Sequence, residues 1–336
     1  MSSKGITILG IESSCDETSA AVFKDGKILA NLIAGQAVHK QYGGVVPELA
    51  SSTHQVNIVP VVKSALDNAK VPIEEINAIA YTRGPGLMGS LLVGSSFAKS
   101  LAQALSIPLL EVNHMQAHVL SNFIENTPPF PFLCLTVSGG HTQIVLVKDY
   151  LEMEIIGETT DDAAGEAFDK AAKILGLPYP GGPLIDKHAK SGDPQKFNFP
   201  IPKVPGYNYS FSGLKTSFLY FLREKSSGNP NFIQDNLGDI CASYQHAIIS
   251  TLMEKLDLAA RDTGINHVAI AGGVSANSSL RETILSRNAS HGWSVYIPKF
   301  EYCTDNAAMI AMAGYFKYLK KDFSSQAKAA KARLEF

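Results

Sequence analysis

The fold of this chain is set by one stretch near its N-terminus, residues 6–32, which reads ITILGIESSCDETSAAVFKDGKILANL. Runs of apolar and β-branched residues predict three strands, over residues 6–11, 20–23 and 27–32. Asp25-Gly26 separates the second and third strands and is a strong signal for a tight hairpin turn. The polar loop 12–18 follows an apolar strand, so we expect this loop to point outward. The stretch therefore predicts a strand, a polar loop and a hairpin.

The same arrangement recurs about 124 residues further along the chain. A strand, a polar loop and a second strand are predicted over residues 133–137, 138–142 and 143–147. At this offset Ser14 recurs as Ser138 and Thr18 recurs as Thr142. Because identities and strand pattern agree, we predict an internal duplication.

Alternating helices and strands follow both copies of this unit. Apolar residues at helical spacing predict helices over residues 47–69, 90–105, 163–175, 184–189, 214–225, 240–263, 276–287 and 306–319. Further strands are predicted over residues 109–112, 267–271 and 294–297. We interpret the chain as an α/β protein of two related lobes with a cleft between them.

The predicted domain organisation has three parts. Residues 1–112, completed by the C-terminal helix at 305–322, form the first lobe. Residues 113–304 form the second lobe, which would carry the metal and nucleotide loops described below. Residues 323–336 include several basic side chains and are expected to form a flexible tail.

Composition argues against several classes of protein. The 336 residues are 45% hydrophobic and 18% charged, as in ordinary globular proteins, and no apolar run reaches the roughly 18 residues of a membrane span. Four cysteines without a C-x-x-C pair argue against a zinc ribbon and a disulfide framework. A net charge of −2 means that RNA contact would need local patches or partners. Residues 1–5 contain no apolar signal region, so we expect a cytoplasmic protein.

A metal site is indicated by His114-Met115-Gln116-Ala117-His118, which follows a predicted strand. Residues four apart share one face of a helix, so both imidazoles can reach one ion. By spacing alone, the pair can equally be structural. A zinc protease of the H-E-x-x-H type needs Glu as its general base, and Met115 occupies that position. Peptide hydrolysis of that type is therefore disfavoured.

Glycine pairs occur at several boundaries between predicted elements, in Ser138-Gly139-Gly140, Gly181-Gly182 and Gly272-Gly273. Such pairs let backbone N–H groups approach an anion, although they also form ordinary turns. None fits the P-loop or the G-x-G-x-x-G pattern. The set therefore favours a nucleotide cleft of another kind.

Four acidic residues are left with open roles. Glu12 and Asp16 lie in the first polar loop, where ordinary turn positions are an alternative. Asp169 lies within a predicted helix and by default faces solvent. Asp305 precedes the last helix and by default is its cap.

Several motifs then occur together and in order. They are GIESSCDET at residues 10–18, GGVVPELAS at 43–51, GPGL at 84–87, the pair His114 and His118, VSGGHT at 137–142, SGLKT at 212–216 and GGVSAN at 272–277. As a set they resemble the bacterial tRNA N6-adenosine threonylcarbamoyltransferase family (the TsaD family), formerly labelled O-sialoglycoprotein endopeptidases. The resemblance extends to about residue 320. Two positions depart from the family pattern: Ser52 stands where Arg is expected, and Arg83 where Ala is common.

The resemblance implies a duplicated actin-like ATPase fold of the actin/sugar-kinase/Hsp70 class. It also implies transfer of the threonylcarbamoyl group from threonylcarbamoyl-AMP to the N6 amine of the adenosine 3′ of the anticodon. The tRNAs concerned read ANN codons, and AMP is released. The family's metal ligands match His114, His118 and Asp305, with Fe²⁺ favoured and Zn²⁺ possible. Its substrate-binding positions match Thr136, Val137, Ser138, Gly139, Gly140, Asp169, Gly182, Asp186 and Asn277.

The resemblance further implies two partner proteins, a catalytically silent paralogue (TsaB) and a P-loop ATPase (TsaE). It implies no association with a membrane. The residue that deprotonates the adenosine amine stays open among Glu12, Asp16 and His141. Two alternative functions also stay open, an ATP-dependent small-molecule kinase of the same fold and a non-catalytic scaffold paralogue.

Overall fold

The chain divides into two compact units, each built around its own sheet. The computed structural model describes residues 5–35, 39, 42–200 and 203–336. The first unit comprises Met1–Thr127, Asp149–Met153 and Pro298–Phe336, and the second comprises Pro128–Lys148 and Glu154–Ile297. The two histidines therefore lie in the first unit, although sequence analysis assigned residues 113–304 to the second lobe. The reason is that their helix continues directly from a strand of the first sheet.

The first sheet has the strand order β3-β2-β1-β4-β5. Its strands are β1 (Thr7–Glu12), β2 (Thr18–Lys24), β3 (Lys27–Ala34), β4 (Ala78–Gly84) and β5 (Leu109–Asn113). Strands β1 to β3 pair antiparallel, whereas β4 pairs parallel with both β1 and β5. The predicted hairpin turn is confirmed, because Asp25 and Gly26 have φ values of 50° and 83°.

The second sheet repeats this topology, with the strand order β10-β9-β6-β7-β8. Its strands are β6 (Phe132–Val137), β7 (Thr142–Asp149), β8 (Glu152–Glu158), β9 (His267–Ala271) and β10 (Ser294–Tyr296). In both sheets the first strand of the set lies at the centre, between its hairpin partner and a parallel strand. The shared order confirms the α/β class and the duplication predicted from the sequence.

Helices cover the sheets. In the first unit they are α1 (Pro47–Ala69), α2 (Met88–Leu105), α3 (His114–Leu120) and α10 (Ala307–Leu319). In the second unit they are α4 (Ala164–Ile174), α5 (Gly182–Ala189), α6 (Ser212–Gly228), α7 (Phe232–Asp235), α8 (Leu237–Thr263) and α9 (Ser278–His291). Short 3-10 helices lie at Ile73–Glu75, Ser121–Phe123, Gly273–Ala276 and Phe300–Tyr302. Among the described residues no helix is both long and apolar enough to cross a membrane.

Most predicted elements agree with the structure to within a few residues. The start of α9 differs because the Asn277 side chain accepts a hydrogen bond from Leu280 N, so the helix begins at Ser278. Sequence analysis did not identify β4 and β8, because short apolar runs cannot be assigned to a strand by periodicity alone.

Alternate residues of β1 face different helices of the first unit. Leu9 and Ile11 pack in a buried cluster with residues of α1 and α2. Gly10 faces α10, and a Cβ at this position would lie 2.4 Å from Ala307 O. The absence of a side chain at Gly10 therefore lets α10 rest against the centre of the sheet.

The last residues of the chain, which the sequence led us to expect as a flexible tail, lie against the first sheet. Residues 324–335, here called the C-terminal strap, run alongside β5 and past the end of β4. Ser324 N donates to Leu109 O (2.7 Å), and Lys331 N donates to Arg83 O (2.9 Å). Backbone pairing of this kind is a tertiary effect, and a polar, alanine-rich sequence does not reveal it.

Candidate metal centre and nucleotide loops

Helix α3 places two histidines side by side. β5 leads directly into α3, and the Asn113 side chain caps the helix by accepting hydrogen bonds from Met115 N (2.9 Å) and Gln116 N (3.2 Å). His114 and His118 are one turn apart, both are buried, and their ring centroids are 4.6 Å apart. The pair predicted from the sequence therefore shares one helix face.

Asp305 completes a cluster with this pair. Its Oδ1 atom lies 3.4 Å from His114 Nε2 and 3.1 Å from His118 Nε2. The two Nε2 atoms are themselves 3.2 Å apart. The default role of helix cap belongs instead to Asn306, whose side chain accepts a hydrogen bond from Met309 N. The Asp305 carboxylate is thus available to the histidines.

The three donor atoms fit one divalent ion. With metal–donor bonds of about 2.0–2.2 Å, ligands at tetrahedral or octahedral angles lie roughly 2.8–3.6 Å apart. The measured separations of 3.1, 3.2 and 3.4 Å fall within this range. Two imidazoles and one carboxylate also leave coordination positions open for a substrate.

Glu12 lies behind His114, at the ring nitrogen that does not face the cluster. Its Oε2 atom is 3.1 Å from His114 Nδ1 and accepts a hydrogen bond from Thr82 Oγ1 (2.6 Å). Its Oε1 atom accepts a hydrogen bond from Ser14 N, and Ser14 Oγ lies 3.2 Å from His114 Nδ1. A carboxylate at this position sets the tautomer and the orientation of a metal-binding histidine.

The charges of the cluster shift the pKa values of its members. Burial acts to raise the pKa of Asp305, but His114 and His118 hold that pKa well below its usual range. Burial acts to lower the pKa of His114, yet Asp305 and Glu12 raise it well above the ordinary value. For His118, the effect of burial outweighs that of the hydrogen bond to the Asp305 carboxylate and lowers the pKa. His118 therefore favours the neutral form, which is the form that binds a metal.

The loop between β1 and β2 contributes further acidic groups. Cys15 O accepts hydrogen bonds from the buried side chains of His54 (2.9 Å) and Ser90 (2.9 Å), which fix the loop. Burial, together with the charges of Asp305 and Asp16, raises the pKa of Glu17 to about 9. Sequence analysis named Asp16 but not Glu17, although its place beside Asp16 in the polar loop was a usable signal.

In the second unit, the equivalent loop between β6 and β7 is a tight turn. Ser138 N donates to His141 O (2.8 Å), and His141 N donates to Ser138 Oγ (3.1 Å). A Cβ on Gly139 or Gly140 would meet no described atom within 4 Å, so their backbone is open. Thr136 is a fully buried residue of β6, paired with Gln143 of β7 and Ala271 of β9. Open amides of this kind can receive an anion.

Two further glycines bring neighbouring segments against this turn. Gly272 follows β9 at a φ of 85°, and a Cβ there would lie 2.5 Å from the O atom of the buried Val137. Gly165 opens α4, and its Cβ would lie 2.4 Å from Ser138 O. The loops therefore meet at the carboxyl ends of β6 and β9, where open α/β sheets bind their ligands.

Asp169 connects α4 to the start of α5. Its Oδ1 atom accepts hydrogen bonds from Gly181 N (2.8 Å) and Gly182 N (3.2 Å). Burial raises the pKa of Asp169, although both N–H groups act to lower it. The default role of a solvated helix residue therefore does not hold for Asp169.

Asp186 and Asn277 join α5 to the start of α9. Asp186 accepts hydrogen bonds from the hydroxyl (2.8 Å) and the backbone N–H (3.3 Å) of Ser278. Asn277 Nδ2 donates to Gln245 Oε1 (2.7 Å). The predicted substrate-binding positions thus belong to one connected set of loops within the second unit.

Asp161 is a polar residue of the second unit that sequence analysis missed. Its carboxylate accepts hydrogen bonds from both the N–H and the hydroxyl of Ser212, from Phe211 N and from Ser210 Oγ. Burial acts to raise the pKa of Asp161, but these bonds hold it below the usual value. Asp161 therefore fixes the start of α6, where the SGLKT motif lies.

Comparison with known proteins agrees with the fold and the motifs. Residues 27–312 match the family described as tRNA N6-adenosine threonylcarbamoyltransferase. The protein of that name from Christiangramia forsetii is 62% identical over 340 residues, covering 100% of both chains. The one from Cytophaga hutchinsonii is 62% identical over 323 residues, covering 96% of this chain and 94% of the relative.

Among solved structures, T. kodakarensis HypF has a TM-score of 0.65 at 16% identity and covers 94% of this chain and 48% of its own. This likeness supports the fold alone and is consistent with the expected actin-like ATPase architecture. Full-length relatives at 62% identity and a match over residues 27–312 carry the conclusion further. The chain belongs to the tRNA N6-adenosine threonylcarbamoyltransferase family.

Proposed function

We propose that this chain is the acyltransferase that moves the threonylcarbamoyl group from threonylcarbamoyl-AMP to the N6 amine of the adenosine 3′ of the anticodon. Its substrates are tRNAs that read ANN codons, and AMP is the second product. The observation that carries the proposal is the convergence of three donor atoms, 3.1 to 3.4 Å apart, in a chain 62% identical to relatives of that name. A small-molecule kinase and a silent scaffold are not favoured by those relatives.

In the proposed reaction, N6 attacks the carbamoyl carbon, a C–N bond forms, and the C–O bond to the phosphate breaks. AMP leaves with that electron pair, and N6 loses one proton. His114, His118 and Asp305 would hold a divalent ion, Fe²⁺ in preference to Zn²⁺, which would supply Lewis-acid polarisation of the carbonyl. The open backbone at Gly139 and Gly140 supports a role for these amides in binding the phosphate.

The three candidates for proton transfer differ in their access to a substrate. Glu12 is fully buried, and both of its carboxylate oxygens accept hydrogen bonds from neighbouring residues. We therefore propose that Glu12 orients the His114 ring and does not act as the base. Asp16 and His141 are half-buried loop residues and stay candidates for the base. Replacing each in turn by Asn should separate them, because only loss of the base removes the acidic limb of the pH–rate profile.

The remaining substrate and partner assignments follow the family. We propose that the loops at Ser138, Gly182, Asp186 and Asn277, together with Asp169, bind the adenylate. They are connected within one unit, which supports a shared role. We also propose the silent paralogue and the P-loop ATPase as partners. Because the proposed substrate is tRNA, we place the reaction in the cytoplasm.

The test supplies tRNA, threonine, bicarbonate, ATP and the partner proteins, and measures the modified nucleoside by mass spectrometry. His114→Ala should lower the transfer rate by about 100-fold or more, because metal polarisation contributes several kcal/mol. His246→Ala, which changes an exposed histidine of α8, is the matched control. Full transfer by a folded His114→Ala variant would rule out the metal-assisted reaction.

A further inference from the structure

The C-terminal strap is held to the first unit chiefly through its own main chain. Gly86 N donates to Ala332 O (3.1 Å), and Arg83 Nε donates to Ala329 O (3.0 Å). Arg83, one of the two positions that depart from the family pattern, thus contacts the strap through its side chain. Gly84 permits the passage, since a Cβ at this position would lie 1.9 Å from Lys331 O.

The strap ends at the metal helix. Asn113, the residue directly before His114, donates through Nδ2 to Leu334 O (3.3 Å) and Glu335 O (3.0 Å). The same side chain caps α3 through its Oδ1 atom. The strap is therefore fixed immediately beside the first residue of the candidate metal centre.

The charged side chains of the strap are mostly basic, and they are exposed to solvent. Residues 324–335 include three basic side chains and one acidic one, in a chain whose net charge is −2. Lys328 forms an ion pair with Glu111. Lys331 and Arg333 are exposed, and within the described part of the chain their side chains form no hydrogen bond or ion pair. Since main-chain atoms hold the strap, these two cations are not needed to keep it in place.

We propose that the C-terminal strap is a docking surface for the phosphate backbone of the RNA substrate, with Lys331 and Arg333 as the phosphate contacts. The proposal rests on the proposed function, in which an RNA base must reach the metal centre. Lysine and arginine contacts to phosphates supply binding energy and fix the register of a nucleic acid without reading its sequence. A basic segment fixed beside α3 by hydrogen bonds would hold the RNA while its adenosine enters the site. It would also supply the local patch that an acidic chain needs in order to bind RNA.

The test measures the binding of an unmodified, fluorescently labelled tRNA to the full-length chain over a range of salt concentrations. The double variant Lys331→Gln with Arg333→Gln should raise the Kd roughly tenfold at low salt. It should also reduce the slope of log affinity against log salt by about 1.5, because two phosphate contacts are lost. Metal content and the midpoint of thermal unfolding should stay unchanged, since both side chains are exposed and form no hydrogen bond or ion pair within the described part of the chain.

The control is Lys27→Gln with Lys70→Gln, which removes the same charge from two exposed positions of the first unit. We expect less than a twofold change in Kd for this control, with the wild-type salt slope. Equal effects of the two double variants, or none from the strap variant, would overturn the proposal. The strap variant could also keep its tRNA affinity but no longer bind a partner protein. That outcome would indicate that the strap binds an acidic protein surface, and it would also overturn the proposal.

Failure of this proposal can be told apart from failure of the proposed function. If the wild-type chain with its partners does not modify tRNA, the function itself is wrong. If the wild-type chain modifies tRNA and the strap variant binds tRNA equally well, only the docking surface is wrong. At saturating tRNA the strap variant should keep the wild-type transfer rate, because the metal and adenylate residues are unchanged.

Discussion

The loop after β1 and the loop after β6 occupy the same place in two sheets of identical strand order, yet they are built differently. Where the first loop begins, Glu12, the last residue of β1, turns its carboxylate inward and is fully buried against His114. The second is a glycine turn, and Gly139 and Gly140 leave their backbone open. The two units thus share one scaffold, but the first places a carboxylate beside histidines and the second places glycines with open backbone at the equivalent position.

The strands that follow show the same divergence. β4 in the first sheet and β9 in the second are equivalent, and each is closed by a glycine with positive φ, Gly84 and Gly272. A Cβ on Gly84 would meet the C-terminal strap at Lys331 O, whereas a Cβ on Gly272 would meet the neighbouring strand at Val137 O. In both units another backbone segment lies close to the glycine, but the segment is the C-terminal strap in the first unit and β6 in the second.

The largest effect that we expect comes from the second copy, at Gly272. Gly272→Ala should lower the free energy of unfolding by about 3 kcal/mol, because it combines a left-handed φ of 85° with a contact of 2.5 Å to Val137 O. Chemical denaturation measures this change. Gly273→Ala is the control, since its Cβ would meet no described atom within 4 Å. Equal stability of the two variants would contradict the close approach.

In the first unit, the next prediction concerns Glu12, whose carboxylate lies behind the candidate metal ligand His114. Glu12→Gln should weaken metal affinity by about 10- to 100-fold, because the amide no longer provides the charge that orients and polarises His114. Competition with a chelator measures the affinity, and Glu48→Gln at an exposed position of α1 serves as the control. Unchanged affinity with reduced transfer would instead make Glu12 part of the chemistry.

A smaller effect is expected at Asn113, where the first copy meets the strap. Asn113→Ala removes both the cap of α3 and the bonds to the strap, and should cost about 1 kcal/mol of stability. Asn113→Asp keeps a capping oxygen but loses the Nδ2 donor to Leu334 O and Glu335 O. Hydrogen exchange should therefore show faster exchange in the strap of both variants, and destabilised α3 only in Asn113→Ala. Equal protection of the strap in all three proteins would contradict its anchoring.

The smallest effect on stability is expected in the open turn of the second copy. Gly139→Ala should change the free energy of unfolding by less than about 0.5 kcal/mol, because its Cβ meets nothing. The same methyl group should weaken AMP binding several-fold in a calorimetric titration, since it obstructs the amides. Gly228→Ala, also with open space around its Cβ, should not affect binding. Wild-type AMP affinity in Gly139→Ala would remove this turn from the anion site.

The amino-acid sequence alone determined the local elements. Alternation and Asp25-Gly26 predicted the first hairpin, and helical periodicity predicted α1 at its observed bounds, Pro47–Ala69. The spacing of His114 and His118 put both imidazoles on one helix face. These features depend on residues close together in the chain, so periodicity and turn preferences suffice to predict them. The order of the strands within each sheet, by contrast, was not predicted from the sequence and comes from the structure.

The family resemblance had already grouped Asp305 with His114 and His118, but only the tertiary structure shows how these and other distant residues meet. Asp305 reaches His118 across 187 positions of the chain, and Glu12 reaches His114 across 102. The parallel pairing of β1, β4 and β5 brings their carboxyl ends to one edge, which places Glu12, Thr82 and His114 together. The C-terminal strap likewise lies against β4 and β5 through long-range hydrogen bonds, among them Ser324 N to Leu109 O and Lys331 N to Arg83 O. Long-range contacts of this kind follow from sheet order and packing, and no local pattern in one sequence encodes them.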